Sequence, residues 1–439
     1  MNSFSSFQAG HSRLNQGGAL DNTRWRVTLT SMVERQTSEL VVLKTRKLEQ
    51  ARGKTQLYIT MLAVAVVASN SLVLSPILSD VAKSLGSTPT AISRAVAVYG
   101  AGTMISALFL APQIDRLGAS RALRFALLSL ALALLCSAGA THPLMLMGAQ
   151  AFAGLSAGVI LPSSYTLATL FGEPKELSRS LGKVLFGWSL AFVCGIPGLA
   201  LISDLSGWRS AYLILFAIAL FLSFEIRSAS NVAHSAAKKS AQVSFLTALT
   251  HHNVPVLLTV CLCFTTAFYG VFAFLADEVR QASATTASAA GAIIFAFGLG
   301  FAAGTAATWL VDKIGARRLL PAALFINAAV YGLMAIAGRD YAAALAIVTL
   351  WGATTNVSLN MIVLLLSQSS STAKGRILGL NSATTYLGAT FGVTVAGIFY
   401  ESSSFETVSL CAVLLQVCGA ILFWAATSPI AKVQSPTAT

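Results

Sequence analysis

The chain is a succession of long apolar stretches separated by short polar ones. Twelve such stretches have cores near 57–80, 92–113, 122–140, 144–168, 180–202, 210–226, 255–276, 289–311, 319–337, 343–367, 377–399 and 407–427. A helix of about 20 apolar residues crosses a hydrocarbon core of about 30 Å, so each is long enough to span a membrane. The short alternating segments of a membrane β-barrel do not occur. The pattern predicts an all-α polytopic membrane protein with 12 transmembrane helices.

The pattern also repeats. Gln113-Ile-Asp-Arg-Leu-Gly-Ala-Ser-Arg121 returns as Leu310-Val-Asp-Lys-Ile-Gly-Ala-Arg-Arg318, 197 residues later. Arg179-Ser-Leu-Gly182 returns as Arg376-Ile-Leu-Gly379, and Gly195 falls on Gly392, at the same spacing. This predicts two pseudo-symmetric six-helix bundles, 57–226 and 254–428. A small, polar cytoplasmic linker over 227–253 joins them, with tails at 1–56 and 429–439. Two halves around one site are a common way to build a carrier.

Composition agrees. Hydrophobic residues make up 55% of the chain and charged residues 10%, and the mean hydropathy is +0.73. The net charge of +13 would suit nucleic acid in a soluble protein. Its distribution says otherwise. With the tails and even-to-odd loops on one side, the opposite side keeps only Lys83, Arg94, Arg209, Arg280 and Arg339 of the 29 bases. That asymmetry places the loops around Asp115 and Asp312, and both termini, in the cytoplasm of a cell with an inner (plasma) membrane. It excludes nucleic acid as a partner. The tail shows no signal-peptide pattern. Met32 offers an alternative start within it, leaving residues 1–31 open. A weak amphipathic pattern over 38–49 would suit a short helix on anionic lipid.

The six cysteines, Cys136, Cys194, Cys261, Cys263, Cys411 and Cys418, lack metal-ligand spacing and read as buried free thiols. The five histidines fall in tails or loops. No metal site, cofactor motif, nucleophile triad or P-loop is recognisable, so no enzymatic activity is expected.

The repeated phrase resembles the loop signature G-x-L-a-D-r-x-G-r-r of the Major Facilitator Superfamily, with Ala111 near its first glycine. Asp115, Arg116, Gly118 and Arg121 carry the first copy; Asp312, Lys313, Gly315, Arg317 and Arg318 carry the second. A carboxylate at a helix end can pair with bases or cap a neighbouring helix, and the glycine allows a tight turn. The pair reads as two cytoplasmic latches that hold the halves together. Span 5 contains Gly187, Gly195, Pro197 and Gly198, followed by Gly207-Trp-Arg209. This is similar to the span-5 signature of the drug:proton antiporter branch, which includes arabinose-efflux-permease-like members. The resemblance implies export by alternating access in exchange for protons. Span 4 departs from it, since Gln150 stands where an arginine is usual.

Mid-membrane acids are missing, and Asn70 stands where some relatives carry one. Asp80 and Glu278 are the remaining coupling candidates, although solvated span ends explain them as well; Asp277 is read in the same way. Polar and aromatic residues near span centres, Asn70, Gln150, Ser156, Trp188, Tyr269, Trp351, Asn356, Asn360 and Tyr386, are candidates to line a cavity between the halves. They suit a mildly polar small-molecule substrate. The expected protein is a monomeric exporter of a small organic molecule or drug that needs a lipid bilayer and protons. An uptake permease for a sugar, nucleoside or amino acid is the alternative. A non-transporting membrane sensor on the same scaffold is the second.

Overall fold

The structure is a computed structural model that describes residues 53–110, 117–171, 177–226, 249, 253–370 and 374–427. Their regular structure is helical throughout, without a strand. Twelve helices are long and apolar enough to cross a membrane: Gly53–Leu72, Pro89–Phe109, Ala119–Ala138, Pro143–Ala168, Gly182–Ser206 and Trp208–Glu225, then Val254–Ala282, Ala287–Gly304, Ala316–Ala337, Tyr341–Gln368, Arg376–Ser402 and Phe405–Thr427. These are spans 1 to 12, six to each bundle. Leu205, Ile336, Leu414 and Trp424 are more than 60% exposed. Apolar surface of this extent suits lipid and not water, as expected of a multi-pass membrane protein.

Spans 1 and 7 are the innermost, 78% and 72% buried over their apolar windows. Span 1 does not run unbroken to residue 80 as its hydropathy suggests. It begins at Gly53, turns at Val73 and continues as the helix Leu74–Ser84. Pro76 explains the break, since it has no N–H for the carbonyl of Leu72. Span 5 is interrupted as well. Ala191–Gly195 form a π turn, closed by the N–H of Ile196 on the carbonyl of Ala191. Pro197 follows one residue later, so the wide turn sits where the proline withholds a backbone donor.

The connections at one end of the bundles are short, around residues 85–88, 207, 283–286 and 403–404. This end is called the short-loop face. The other, long-loop face carries the repeated phrase. There Gly118 (φ 83°, ψ 137°) opens span 3, and Gly315 (φ 95°, ψ 133°) opens span 9. Positive φ at both positions strains any residue with a Cβ, so the duplicated glycine serves a duplicated turn.

The packing repeats too. A Cβ on Gly102 would meet the carbonyl of Ala151, and one on Gly154 would meet that of Tyr99. In the second bundle Gly300 meets Thr349, and Gly352 meets Phe297, in the same way. Each second-bundle residue lies 198 positions after its counterpart. Spans 2 and 4 thus interlock as spans 8 and 10 do, through small residues that let backbones touch. Gly195 faces Ser69 and Gly392 faces Thr266, 197 positions apart. Single-residue differences between the halves account for the two offsets.

The cysteines correct an expectation. Cys261 alone is buried; Cys136, Cys194 and Cys418 are exposed, and Cys263 and Cys411 are half-buried. Apolar spans present such thiols to lipid as readily as to the core. Residues 38–49, Met32 and the linker to residue 248 lie outside the described residues.

Candidate functional site

Mid-span polar residues first need hydrogen-bond partners, because hydrocarbon supplies none. Asn70 of span 1 and Gln150 of span 4 find each other. Asn70 Nδ2 donates to Gln150 Oε1 at 3.1 Å, and Gln150 Nε2 donates back to Asn70 Oδ1 at 3.3 Å and to Ser137 Oγ at 3.0 Å. Ser156 pairs with Ser129 of span 3 at 2.8 Å. In the second bundle Thr354 donates to Asn327 Oδ1 at 2.8 Å, and Asn327 donates to Ser358 at 2.8 Å. These are clasps within a bundle. Asn70, Gln150 and Ser156 thus hold helices of the first bundle together. Asn360 donates to Oδ1 of Asn356 at 2.8 Å, so the two amides of span 10 are joined along one helix face.

The aromatic candidates behave differently. Trp351 of span 10 is fully buried. Its ring centroid lies 4.9 Å from Phe297 of span 8, 5.3 Å from Phe268 and 5.9 Å from Phe272 of span 7, and 5.6 Å from Tyr331 of span 9. Phe192, in the π turn of span 5, brings the first bundle into the same cluster. It lies 4.9 Å from Phe297, 5.5 Å from Phe301 and 5.9 Å from Phe272, with Trp188 6.5 Å away on its own span. Tyr269 stands edge-on to Phe268 at 5.0 Å. Tyr386 of span 11 is buried, its hydroxyl without a partner. The result is a continuous aromatic seam between the bundles, made of neutral side chains. A void of about 10 Å³ remains where Ser75 meets Phe272, Phe297 and Trp351, roughly the space of one water.

Towards the short-loop face, polar contacts clamp the halves. Ser75 Oγ donates to the carbonyl of Phe272 at 2.5 Å. Arg280 of span 7 forks onto Asp80 at 2.6 and 2.8 Å, the bidentate geometry that suits guanidinium and carboxylate. Asp277 is fully buried and accepts from the backbone N–H of Ser79 at 3.1 Å and its hydroxyl at 2.9 Å. Asp204, at the end of span 5, accepts from Ala287 and Ser288, the first N–H groups of span 8, at 3.0 and 2.6 Å. Thr390 of span 11 donates to the carbonyl of Ala97 in span 2 at 3.1 Å.

Two expectations change here. Asp277 is not a solvated span end, because it is buried against the other bundle. Glu278 is not solvated either. It accepts from Arg339 at 2.9 Å and Tyr400 at 2.9 Å, within its own bundle. Arg339 lies outside the spans, and its contact with Glu278 holds its guanidinium above the ordinary range. Asp80, the other coupling candidate, is the partner of Arg280.

Of the span-5 motif, Gly187 faces the carbonyl of Met61, Gly195 faces Ser69, and Cα of Pro197 lies against Gly291 of span 8; Gly198 has open space. Asp115 and Arg116 of the first latch lie outside the described residues. Arg121, Lys313, Arg317 and Arg318 are exposed on the long-loop face, and Asp312 sits on the helix Thr308–Ile314.

The sequence reading missed Phe192, Phe268, Phe272, Phe297 and Phe301. A signal existed, because Phe268/Phe272 and Phe297/Phe301 are spaced four apart and so share a helix face. It also missed Ser79, Asp204 and Arg280, whose partners lie on distant spans.

Comparison with known proteins places this arrangement. The sequence model of the Major Facilitator Superfamily matches residues 60–370 and 276–439. An uncharacterized MFS-type transporter, YwfA of Bacillus subtilis, is 25% identical over 82% of this chain and 89% of its own. A chloramphenicol resistance protein of Streptomyces lividans is 24% identical over 58% of this chain and 67% of its own. A transcription regulatory protein, OpdE of Pseudomonas aeruginosa, is 24% identical over 83% of this chain and 92% of its own. Twelve spans in two repeated bundles, meeting at a central seam, agree with the match: the chain belongs to the Major Facilitator Superfamily.

Proposed function

We propose that the protein exports an uncharged, aromatic or amphipathic small molecule across the cytoplasmic membrane by alternating access, in exchange for protons. The observation that carries this reading is the aromatic seam. Phe192 comes from the span that resembles the antiporter signature, and it meets three rings of the opposite bundle. Aromatic faces with few polar groups bind apolar organic molecules. The similarity to a chloramphenicol resistance protein supports export of a neutral compound.

In this reading the short-loop face is outside, and both termini are cytoplasmic. Export requires the contacts at Ser75, Asp80, Asp204 and Asp277 to part as the bundles rock. The seam then splits, and its rings become the walls of an outward-facing pocket. The two loops with Asp115 and Asp312 latch the opposite side while this happens. The protein works as a monomer, since one chain holds both halves of the pathway.

The test is flux in proteoliposomes, with chloramphenicol and other neutral aromatic compounds as probes. Substrate-driven proton movement is recorded alongside. Counterflow of a neutral aromatic with opposite proton movement is the expected result. Accumulation of sugars, nucleosides or amino acids would instead establish an uptake permease. The likeness to a regulatory protein favours a second reading, a membrane sensor. Ligand binding without flux would establish that one.

A further inference from the structure

The rings where the bundles meet are of two kinds. On spans 5 and 8 they are bare hydrocarbon, as in Phe192 and Phe297. On spans 2 and 11 they carry hydroxyls, as in Tyr99 and Tyr386. Span 7 serves both kinds, because Phe268 and Tyr269 are consecutive and so point about 100° apart around the helix. Tyr386 sits where span 11 touches span 2: a Cβ on Gly100 would come within 3.1 Å of its carbonyl oxygen. The titratable groups that act on its phenol are Tyr269 of its own bundle and Tyr99 and Tyr165 of the other.

These hydroxyls are not spent alike. Tyr99 donates to the carbonyl of Val67 at 3.3 Å. Tyr386 is 4% exposed, and its hydroxyl has no partner. Enclosing such a group unbonded is costly, and native interiors hold few of them. Slack in the backbone does not explain it. Thr390, one turn on, donates to the carbonyls of both Tyr386 and Ala97, which pins this stretch of span 11 to span 2. The indole N–H of Trp351 is unpartnered too, but its ring is packed against Phe268, Phe297 and Tyr331 of its own bundle. The Tyr386 hydroxyl is thus a fixed, unused donor at the boundary between the halves, beside a wall of bare rings.

We propose that the Tyr386 hydroxyl selects substrates that carry an oxygen acceptor beside an apolar ring: it donates to a carbonyl, nitro or ether oxygen while the ring lies against the phenylalanines. This rests on the exporter reading above and narrows its substrates to neutral aromatic compounds bearing such an oxygen. A ligand with the oxygen gains the bond. One without it leaves the hydroxyl stranded, which is how a buried polar group discriminates between near-isosteres.

The probes are acetylnaphthalene and ethylnaphthalene, substituted at the same ring position and differing in one carbonyl oxygen. Thermal unfolding of the purified full-length chain in detergent is followed against probe concentration, since a ligand of the folded state raises Tm according to its affinity. The quantity read is the ratio of the two affinities. Uptake of the probes by micelles is common to all variants, so a change in the ratio isolates the hydroxyl. In Tyr386→Phe the preference for the acetyl probe should fall about fivefold, the value of one hydrogen bond. Tyr212→Phe removes another buried, unpartnered hydroxyl, on span 6 beside Trp208, and should keep the parental ratio.

A ratio unchanged in Tyr386→Phe, or lowered equally in Tyr212→Phe, overturns the proposal and leaves the exporter of neutral aromatics standing. If neither probe nor chloramphenicol stabilises the parent chain, the exporter reading fails and the proposal fails with it. Ligand-free Tyr386→Phe should melt no lower than the parent, because the lost hydroxyl bonds nothing. A variant that melts lower or does not fold would show that the hydroxyl serves the fold, which equally overturns the proposal.

Discussion

Phe192 of span 5 stands edge-on to Phe297 of span 8, with ring centroids 4.9 Å apart and planes at 67°. This contact joins the two bundles at the centre of the seam, and the π turn of span 5 aims Phe192 into it. If the seam becomes the pocket wall on opening, Phe192→Ala removes one aromatic contact from bound substrate. Such a contact contributes about 0.5–1.5 kcal/mol, so the apparent KM for a neutral aromatic should rise up to about tenfold. Phe192→Trp should stay within about twofold, since it keeps the aromatic face. Flux assays at matched protein density check this. An unchanged KM in Phe192→Ala would remove the seam from the substrate path.

The repeated glycine notches predict a symmetric stability effect. A Cβ at Gly154 would lie 2.9 Å from the carbonyl carbon of Tyr99, and one at Gly352 would lie 2.7 Å from the N of Phe301. Backbone cannot yield as a side-chain tip can. Gly154→Ala and Gly352→Ala should each cost about 1–3 kcal/mol, the usual cost of overpacking. Gly148 and Gly332 have nothing within 4 Å of the same added atom, so alanine there should be neutral or slightly stabilising. Thermal unfolding in detergent compares the four. Equal melting temperatures would show that the two bundles relax around these positions.

The spans and the duplication were legible because they depend on local properties. A bilayer imposes length and apolarity on each segment, and a required positive φ keeps glycine at both 118 and 315. The resting place of a polar side chain depends on what another span brings to it. Asn70 and Gln150 look like cavity residues when each span is read alone, yet they satisfy one another. Asp277 looks like a span end by its number, and Ser79, 198 residues earlier, makes it interior. Phe192 looks like any lipid-facing ring until the π turn directs it inward. Hydropathy also carries a helix through Val73, since it has no measure of the hydrogen bond that Pro76 withholds.

The amide pair of spans 1 and 4 gives a double-mutant test. Asn70 and Gln150 are 3% and 1% exposed and exchange two hydrogen bonds. Removing one partner strands the other in an apolar interior, whereas removing both leaves a greasy but satisfied contact. Asn70→Leu and Gln150→Leu should each lower stability, and the double variant should lose less than the sum. The coupling should be about 0.6 kcal/mol, the average for such bonds between membrane helices. Additive losses in thermal unfolding would show that the pair does not act as a unit.

Asp204 caps a helix that belongs to the other bundle. Thr286, the span's own cap, satisfies the N–H of Ala289, and Asp204 satisfies those of Ala287 and Ser288. Together they accept from three of the donors that a helix start leaves unpaired. The carboxylate also faces the positive end of the span-8 dipole. Asp204→Ala should cost about 1 kcal/mol, as loss of a cap generally does, and Asp204→Asn should recover much of it because asparagine caps nearly as well. The bond crosses between bundles, so the same substitution should also ease opening of the short-loop face. A maleimide-reactive Ser75→Cys should then label faster in the alanine variant than in the asparagine variant. If both label at the parental rate while stability falls, Asp204 stabilises span 8 without restraining the bundles.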